Sequence, residues 1–242
     1  MMRLRTFLLA LLVLALALTG TAAAEDPDAD PALGISATAD VVSTYYWRGF
    51  DLTDHEPAFQ PGVTLTHNAS GLSLNLWGSI ALDDRSTTRD LDELDLTVGL
   101  DRSVGEALDV SLGAIFYFYP QLAPEEDSTE EIYAGLGFPS APLSPTITYF
   151  QDLNLGDGGY LLIGGSHSVG ALTLSADSGF SFKQYTDKTG FTELVLGASY
   201  DFVLGSSGAY LTPYVRFAAV DDKERNPDNT EFWFGLSLGW DR

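Results

Sequence analysis

Residues 229–240 read NTEFWFGLSLGW. Phe232, Phe234, Leu236, Leu238 and Trp240 alternate with Glu231, Trp233, Gly235, Ser237 and Gly239. A period of two is a strand signal, with one set of side chains on each face. Which solvent lies on each face decides the fold. In a soluble sandwich the apolar face meets a second sheet. In a membrane barrel it meets lipid, while the small and polar face lines an interior.

The same strand character recurs along the chain. Twelve segments carry it, near 36–48, 58–67, 71–82, 91–101, 108–119, 130–138, 143–152, 159–168, 171–182, 191–203, 209–219 and 230–240, and no segment reads as an amphipathic helix. In GLSLNLWGSIAL, Leu72, Leu74, Leu76, Ile80 and Leu82 oppose Ser73, Asn75, Trp77 and Ser79. The connections sort by length. Odd strands are followed by longer polar loops such as DDRSTTRD and DDKERNPDN, even strands by tight turns such as NAS and VGA. A sandwich has no reason to sort its loops, whereas an outer-membrane barrel has short periplasmic turns and long outward loops. The reading is therefore all-β: a closed antiparallel up-and-down transmembrane β-barrel of about twelve strands, with both termini periplasmic. Phe232, Phe234, Leu236, Leu238 and Trp240 then face lipid. Tyr45 and Trp47 are expected in the outer aromatic girdle, and Phe138, Tyr200, Phe202 and Trp240 in the periplasmic one. Pro61, Pro145 and Pro213 fall within strand segments and require bulges or strand ends.

The N-terminus sets the compartment. Arg3 and Arg5 precede an apolar run from Phe7 to Leu18 that ends in Ala22-Ala23-Ala24. This is the pattern of a secretory signal peptide over 1–24. Residues 25–34, acidic and Pro-containing, read as a flexible tether, and 35–242 as the barrel domain. No later apolar run is long enough for a helix to cross a bilayer. The chain has no cysteine, which excludes disulfides, thiolate metal sites and a lipidated N-terminal Cys. Its 34 Asp and Glu outnumber 12 Lys and Arg, giving a formal charge of −22. Such a chain repels nucleic-acid phosphates.

The inward parity carries a sharper pattern. Four strands open alike, DELDLTVG, EEIYAGLG, TELVLGAS and TEFWFGLS. Glu93, Glu131, Glu193 and Glu231 then point inward at one height, below the outer mouth. A ring of acids in a narrow pore concentrates cations. Inward bases on neighbouring strands would instead pair with these acids. Arg48 and Arg216 have the parity to do so, with Arg48 placed to reach Glu231 across the closing seam, and Arg216 between the strands of Glu193 and Glu231. Buried charges require partners, so pairing and ion selection both stay open. Asp40, Asp95, Asp101, Asp109, Asp177 and Asp201 share the inward parity. So do Tyr46, Tyr117, Tyr119, Tyr133 and Trp233, which either fill a small barrel or offer a sugar-stacking surface.

The stretch STYYWRGFDLTDHEPAFQPG resembles the start of the TorF-type porin family, small bacterial outer-membrane barrels. The resemblance is carried by Tyr45, Trp47, Arg48 and Gly49, followed by Pro57, Ala58, Gln60 and Gly62. Further similar pieces are Trp77-Gly78, Glu93-Leu94-Asp95, Tyr117-Phe118-Tyr119-Pro120 and Glu131-Ile132-Tyr133-Ala134-Gly135. The resemblance implies an outer-membrane location and a pore, and no particular substrate. Barrels of this kind end on an aromatic residue read by the barrel-assembly machinery. Here Trp240 is followed by Asp241 and Arg242.

No enzyme, metal or cofactor site is assigned. Of the three histidines, His167 is flanked by serines that point to the other faces, and His67 lies by a turn. His55 sits in the first loop, where DLTDHE offers carboxylate oxygens without the spacing of a calcium loop. The partners implied are outer-membrane lipid, the assembly machinery and small cations or solutes. The leading reading is a porin-like outer-membrane barrel for diffusion of ions or small solutes, favouring cations. Its rivals are a non-conducting barrel that serves as an adhesion surface and a secreted soluble barrel holding an apolar ligand.

Overall fold

The structure, a computed structural model, describes residues 32–82 and 92–242. The expected leader, most of the tether and the loop DDRSTTRD lie outside the described residues. Twelve antiparallel strands form the wall. They are β1 Leu33–Val42, β2 Ala58–His67, β3 Leu72–Ala81, β4 Glu93–Val104, β5 Leu108–Phe118, β6 Ser128–Gly137, β7 Thr146–Asp152, β8 Gly159–Val169, β9 Leu172–Phe182, β10 Thr189–Tyr200, β11 Ala209–Val220 and β12 Thr230–Asp241. Each pairs with its neighbour in sequence, and β1 pairs with β12 from Ser36↔Asp241 to Val42↔Gly235. Closure removes both sheet edges, so every strand has a partner on each side. The seam is tight at its end, where Ile35 and Arg242 exchange both backbone hydrogen bonds, 2.8 and 2.9 Å. The ladder thus runs through the two residues after Trp240, and β1 begins at Leu33, inside the segment expected to be tether.

The alternation assigns the two faces. Across β11 and β12 the pairs Phe217↔Phe232, Val215↔Phe234 and Leu211↔Leu238 stand outside, and Arg216↔Trp233, Tyr214↔Gly235 and Thr212↔Ser237 stand inside. Phe232 and Phe234 are 60% and 58% exposed on the outer wall, and Trp233 between them is 6% exposed. Glycines on the inner face make room for rings. A Cβ on Gly235 would lie 2.4 Å from the Tyr214 ring, and one on Gly113 would lie 2.5 Å from Tyr133.

Irregularities fall where the sequence requires them. Pro145 lies just before β7. The β10–β11 ladder stops at Ser199↔Tyr214, immediately before Pro213, and resumes as the short pairing of Phe202–Val203 with Leu211 and Tyr210. Pro61 pairs with Ala39 on β1, and the ladder to β3 is interrupted there. A bulge between β9 and β10 places Glu193 opposite Gly179 and Phe191 opposite Phe180, leaving Thr192 extra. Bulges re-aim side chains; here both Thr192 and Glu193 end up buried.

One part of the first strand departs from expectation. Strand β1 ends at Val42, and Tyr46–Trp47 and Phe50–Asp51 form a separate two-stranded hairpin. Arg48 and Gly49 are its turn, with φ of +46° and +92°. Two consecutive positive φ values match a type I′ turn, the two-residue connection whose twist suits a hairpin. The chain therefore turns into the lumen at the loop end, and Tyr45 and Trp47 are not girdle residues. The girdle expected at the other end is consistent with Tyr200 and Phe202, exposed with ring centroids 4.7 Å apart, and with Trp240, whose indole donates to the Ser207 carbonyl at 2.9 Å.

The face assignment makes a prediction. Leu236→Lys, near the middle of the outer wall, should destabilise the barrel in phospholipid vesicles by about 2–4 kcal/mol, the cost of a lysine at bilayer mid-depth. Ser237→Lys, on the adjacent inner face, should cost far less. Equal losses in guanidinium unfolding would contradict the assignment.

Candidate functional site

The inserted hairpin meets the four glutamates. All four are buried: Glu93 is 6% exposed, Glu131 0%, Glu193 3% and Glu231 6%. Each opens or nearly opens a strand at the loop end, on β4, β6, β10 and β12, and each turns inward. They do not line an open passage. Each meets a group carried by the first loop.

Arg48, at the hairpin tip, forms a two-pronged bond with Glu131: Nη1 to Oε1 at 2.6 Å and Nη2 to Oε2 at 3.0 Å. Such paired bonds are the strongest form of arginine–carboxylate contact. Glu131 also accepts from the Tyr117 hydroxyl at 2.8 Å and Gln184 Nε2 at 2.5 Å. The guanidinium is enclosed by the rings of Trp47, Phe150 and Tyr160, with centroids at 4.6, 4.2 and 4.8 Å. Burial is the largest single influence and opposes its charge, but the Glu131 carboxylate and the Tyr117 and Tyr160 hydroxyls together hold the Arg48 pKa above the ordinary guanidinium value. The expectation that Arg48 reaches Glu231 is thus corrected. The hairpin carries it past the seam to the far wall.

The neighbouring aromatics complete the dock. The Tyr45 hydroxyl bonds Glu93, and its ring lies 5.5 Å from Trp77. Tyr46 stacks on Trp233 at 4.4 Å, and its hydroxyl, like that of Tyr160, donates to Glu193. Trp47 and Phe50 meet Tyr185 edge-on. Val195, Ala218, Val220 and Trp233 form a small apolar cluster beneath Tyr46.

A second arginine, Arg225 in the loop 221–229, locks the hairpin from above. Its Nη1 donates to the Arg48 carbonyl at 2.8 Å, Nη2 to Ser181 Oγ at 3.0 Å and to the Gln184 carbonyl, and Nε to Asp222 at 3.2 Å. Sequence reading missed Arg225, Asp222 and Gln184, because loop residues carry no parity. The Gly49 position is close-fitting as well: a Cβ there would sit 3.1 Å from Arg225 Cδ.

The remaining predicted residues serve the wall. Arg216 does not meet Glu193 or Glu231. It lies across Gly197, which offers no side chain, and its Nη1 is 3.9 Å from Asp177 on β9. The Pro57 carbonyl accepts from Leu82 N at 2.8 Å, Gln60 bonds Ser79 weakly at 3.5 Å, and Gly62 gives space to Trp77. Toward the turn end the interior opens. A cavity of about 380 Å³ there is lined by Asp101, Arg102, Asp109, Ser111, Thr146 and Thr148 among others. Asp40, Asp95 and Asp177 also face the interior, half-buried. Among the described residues one group could hold a metal ion, Asp51, His55 and Glu231 at the loop-end mouth.

Fold and site together define a β-barrel of the outer-membrane type whose mouth holds an inserted first-loop hairpin. Residues 26–230 match the family described as a bacterial protein of unknown function (Gcw_chp), and the chain belongs to that family. Among solved structures, the KdgM porin in complex with disordered oligogalacturonate superimposes with a TM-score of 0.55 at 8% identity, over 86% of this chain and 98% of that one. Outer membrane phospholipase A from Escherichia coli gives 0.46 at 16% identity, over 85% and 92%. An outer membrane channel from Pseudomonas putida F1 gives 0.44 at 13% identity, over 91% and 100%. At such identities the KdgM likeness speaks to the fold alone. No curated protein matches the sequence.

The dock predicts an asymmetry. Arg48→Ala strands the Glu131 carboxylate and should cost about 3–5 kcal/mol in guanidinium unfolding. Adding Glu131→Gln to that variant should recover a substantial part, because the remaining amide carries no charge. A double variant no more stable than the single one would show that the ion pair is not what holds the tip.

Proposed function

We propose that the protein is a porin-like barrel of the bacterial outer membrane, of the TorF type that its first loop resembles, passing small cations or solutes by diffusion. It is not an enzyme in this reading: the histidine–serine hydrogen bond among the described residues, between His67 Nδ1 and Ser70 Oγ at 2.7 Å, lies within a tight turn with no carboxylate bonded to the imidazole. The observation that carries the proposal is the division of charge along the lumen. At the loop end the carboxylates of Glu131 and Glu193 are bonded to Arg48, tyrosines and Gln184. Below the dock the carboxylates of Asp40 and Asp95 face the interior, Arg216 lies at mid-height beside Asp177, and at the turn end Asp101 and Asp109 line the cavity with Arg102 beside them. The Oδ1 atoms of Asp40 and Asp95 are buried without a hydrogen-bond partner among the described residues. Carboxylates that ionise in a low-dielectric passage favour cations and oppose anions. An acidic sugar chain such as the oligogalacturonate named with the KdgM porin would meet this excess of like charge.

The filled loop end adds a condition. Passage requires the hairpin 46–51 to leave its dock, and Glu93, Glu131, Glu193 and Glu231 then form the acidic ring, with Arg48 as their movable counter-charge. The same filling favours the second reading, a non-conducting barrel whose loops are an interaction surface.

Planar-bilayer recording of the folded barrel separates the two. The wild-type protein should conduct weakly or intermittently. Replacing residues 45–51 by a Gly/Ser linker of equal length should raise the open conductance, with a reversal potential in a KCl gradient on the cation side. Silence from both proteins would reject the pore and leave the second reading. In the linker variant, Glu93, Glu131, Glu193 and Glu231 changed together to Gln should shift the reversal potential toward zero. An unchanged potential would remove the ring from selection and leave it as a dock.

A further inference from the structure

The structure assigns a divalent transition-metal site to Asp51, His55 and Glu231, joining the inserted first loop to strand β12 at the mouth of the barrel. The three donor atoms all lie within 4.8 Å of one another. His55 Nδ1 is 3.0 Å from Asp51 Oδ2 and 3.3 Å from Glu231 Oε1. With metal–ligand bonds of about 2.1 Å, neighbouring ligands stand about 3.0 Å apart in an octahedron and about 3.4 Å apart in a tetrahedron. The observed spacings match the edges of either polyhedron. The third spacing, between the two carboxylate oxygens, lies within 4.8 Å.

Asp51 Oδ2 accepts the His55 backbone N–H at 2.6 Å, which sets the loop, and its side-chain approach to the imidazole together with that of Glu231 crowds two acceptors onto one ring nitrogen. An imidazole Nδ1 carries at most one proton, so it cannot serve two carboxylates fully. The Glu231 side chain is only 5% exposed, and its Oε1 has no partner among the described residues other than His55. No Lys or Arg among the described residues bonds any of the three, because Arg48 and Arg225 are committed to Glu131 and Asp222. The opposite oxygen of each carboxylate is held from behind. Asp51 Oδ1 accepts from Thr44 Oγ1 at 2.6 Å and from Thr53 N at 3.1 Å. Glu231 Oε2 accepts from Asn226 Nδ2 at 3.3 Å. Such outer bonds orient ligand oxygens toward a metal. The imidazole, 58% exposed, leaves the fourth and later positions to water.

One nitrogen with two carboxylates suits zinc, manganese or a neighbouring first-row ion better than calcium or magnesium, which take oxygen alone. Sequence spacing shows two of the three: Asp51 and His55 lie in one short loop, and Glu231 comes from a remote strand.

The test is calorimetric titration of the folded, detergent-solubilised full-length barrel with zinc chloride and, separately, manganese chloride, in buffer of high ionic strength. One ion per chain is expected. His55→Ala should lower affinity about 100-fold or more, and Thr44→Val, which removes the outer bond to Asp51 and a bond to Thr53 Oγ1, about 10–100-fold. Asp54→Asn, beside the cluster and outside it, should change affinity little. His55 is a surface side chain, so its variant should fold, as a heat-modifiable shift on gels would verify. Glu231→Gln adds the buried ligand if it folds, and His55→Ala decides alone if it does not. No saturable binding to the wild type, or binding unchanged in His55→Ala, overturns the site.

Discussion

The constraint on which the structure rests is that a strand wall in lipid has no water to satisfy a free edge. Every backbone N–H and C=O at the seam must find a partner on another strand. The β1–β12 ladder meets that demand down to the mutual bonds of Ile35 and Arg242. Closure then fixes the two solvents. Outside, Phe232, Phe234, Leu236 and Leu238 need no partner but hydrocarbon. Inside, every charged group must be paired, hydrated or hidden, because the lumen is narrow and its walls are of low dielectric.

The inside is organised around that second demand. At the loop end, where four glutamates converge, the first loop supplies what they lack. A guanidinium meets Glu131, and tyrosine hydroxyls meet Glu93 and Glu193. Removing four carboxylates from water would be costly if they stood alone. Enclosed by donors, they specify where the hairpin sits. The positive φ of Arg48 is a modest strain, about 1–2 kcal/mol for a residue with a side chain, and it is offset by bonds made only at that position. The second arginine, Arg225, is buried on polar atoms from three loops; burial lowers its pKa, which marks how little water reaches it.

Much of this was legible in the sequence, and the limits have physical causes. Alternation exposed the wall, because the period of two is the same whether lipid or a second sheet receives the apolar face, and loop sorting separated those cases. Parity also placed the glutamates on the inner wall. It failed at Tyr45 and Trp47, because a hairpin folded inward preserves the same alternation as a strand that continues. The Arg-Gly between Tyr46-Trp47 and Phe50 is the available sign of a turn. It was overridden by the strand character on both sides. Side-chain reach was not legible either. Parity gives a face and not a direction along the barrel, so Arg216 was placed near the glutamates, whereas it extends over Gly197 to Asp177. Contacts between loops, such as Arg225 with the Arg48 carbonyl, have no periodic signature at all.

The chemistry of the dock bears on what the hairpin can do. A plug held by apolar packing must expose that surface to leave, and water offers it nothing in return. Beside the ring packing of Tyr45 near Trp77 and of Tyr46 on Trp233, the Tyr45, Tyr46 and Arg48 contacts include hydrogen bonds and an ion pair, and water can replace such polar partners, so an exchanged bond has a net worth of only about 0.5–1.5 kcal/mol. The desolvated Arg48–Glu131 pair is the exception, since separating it requires both charges to be rehydrated together. Trp47 and Phe50 add ring contacts with Tyr117 and Tyr185, but no continuous apolar core lies under the tip. The mouth is therefore closed by contacts that a change in hydration or local charge can weaken as a group. In the proposed pore, control of the passage would lie in the first loop, with the wall as its fixed frame.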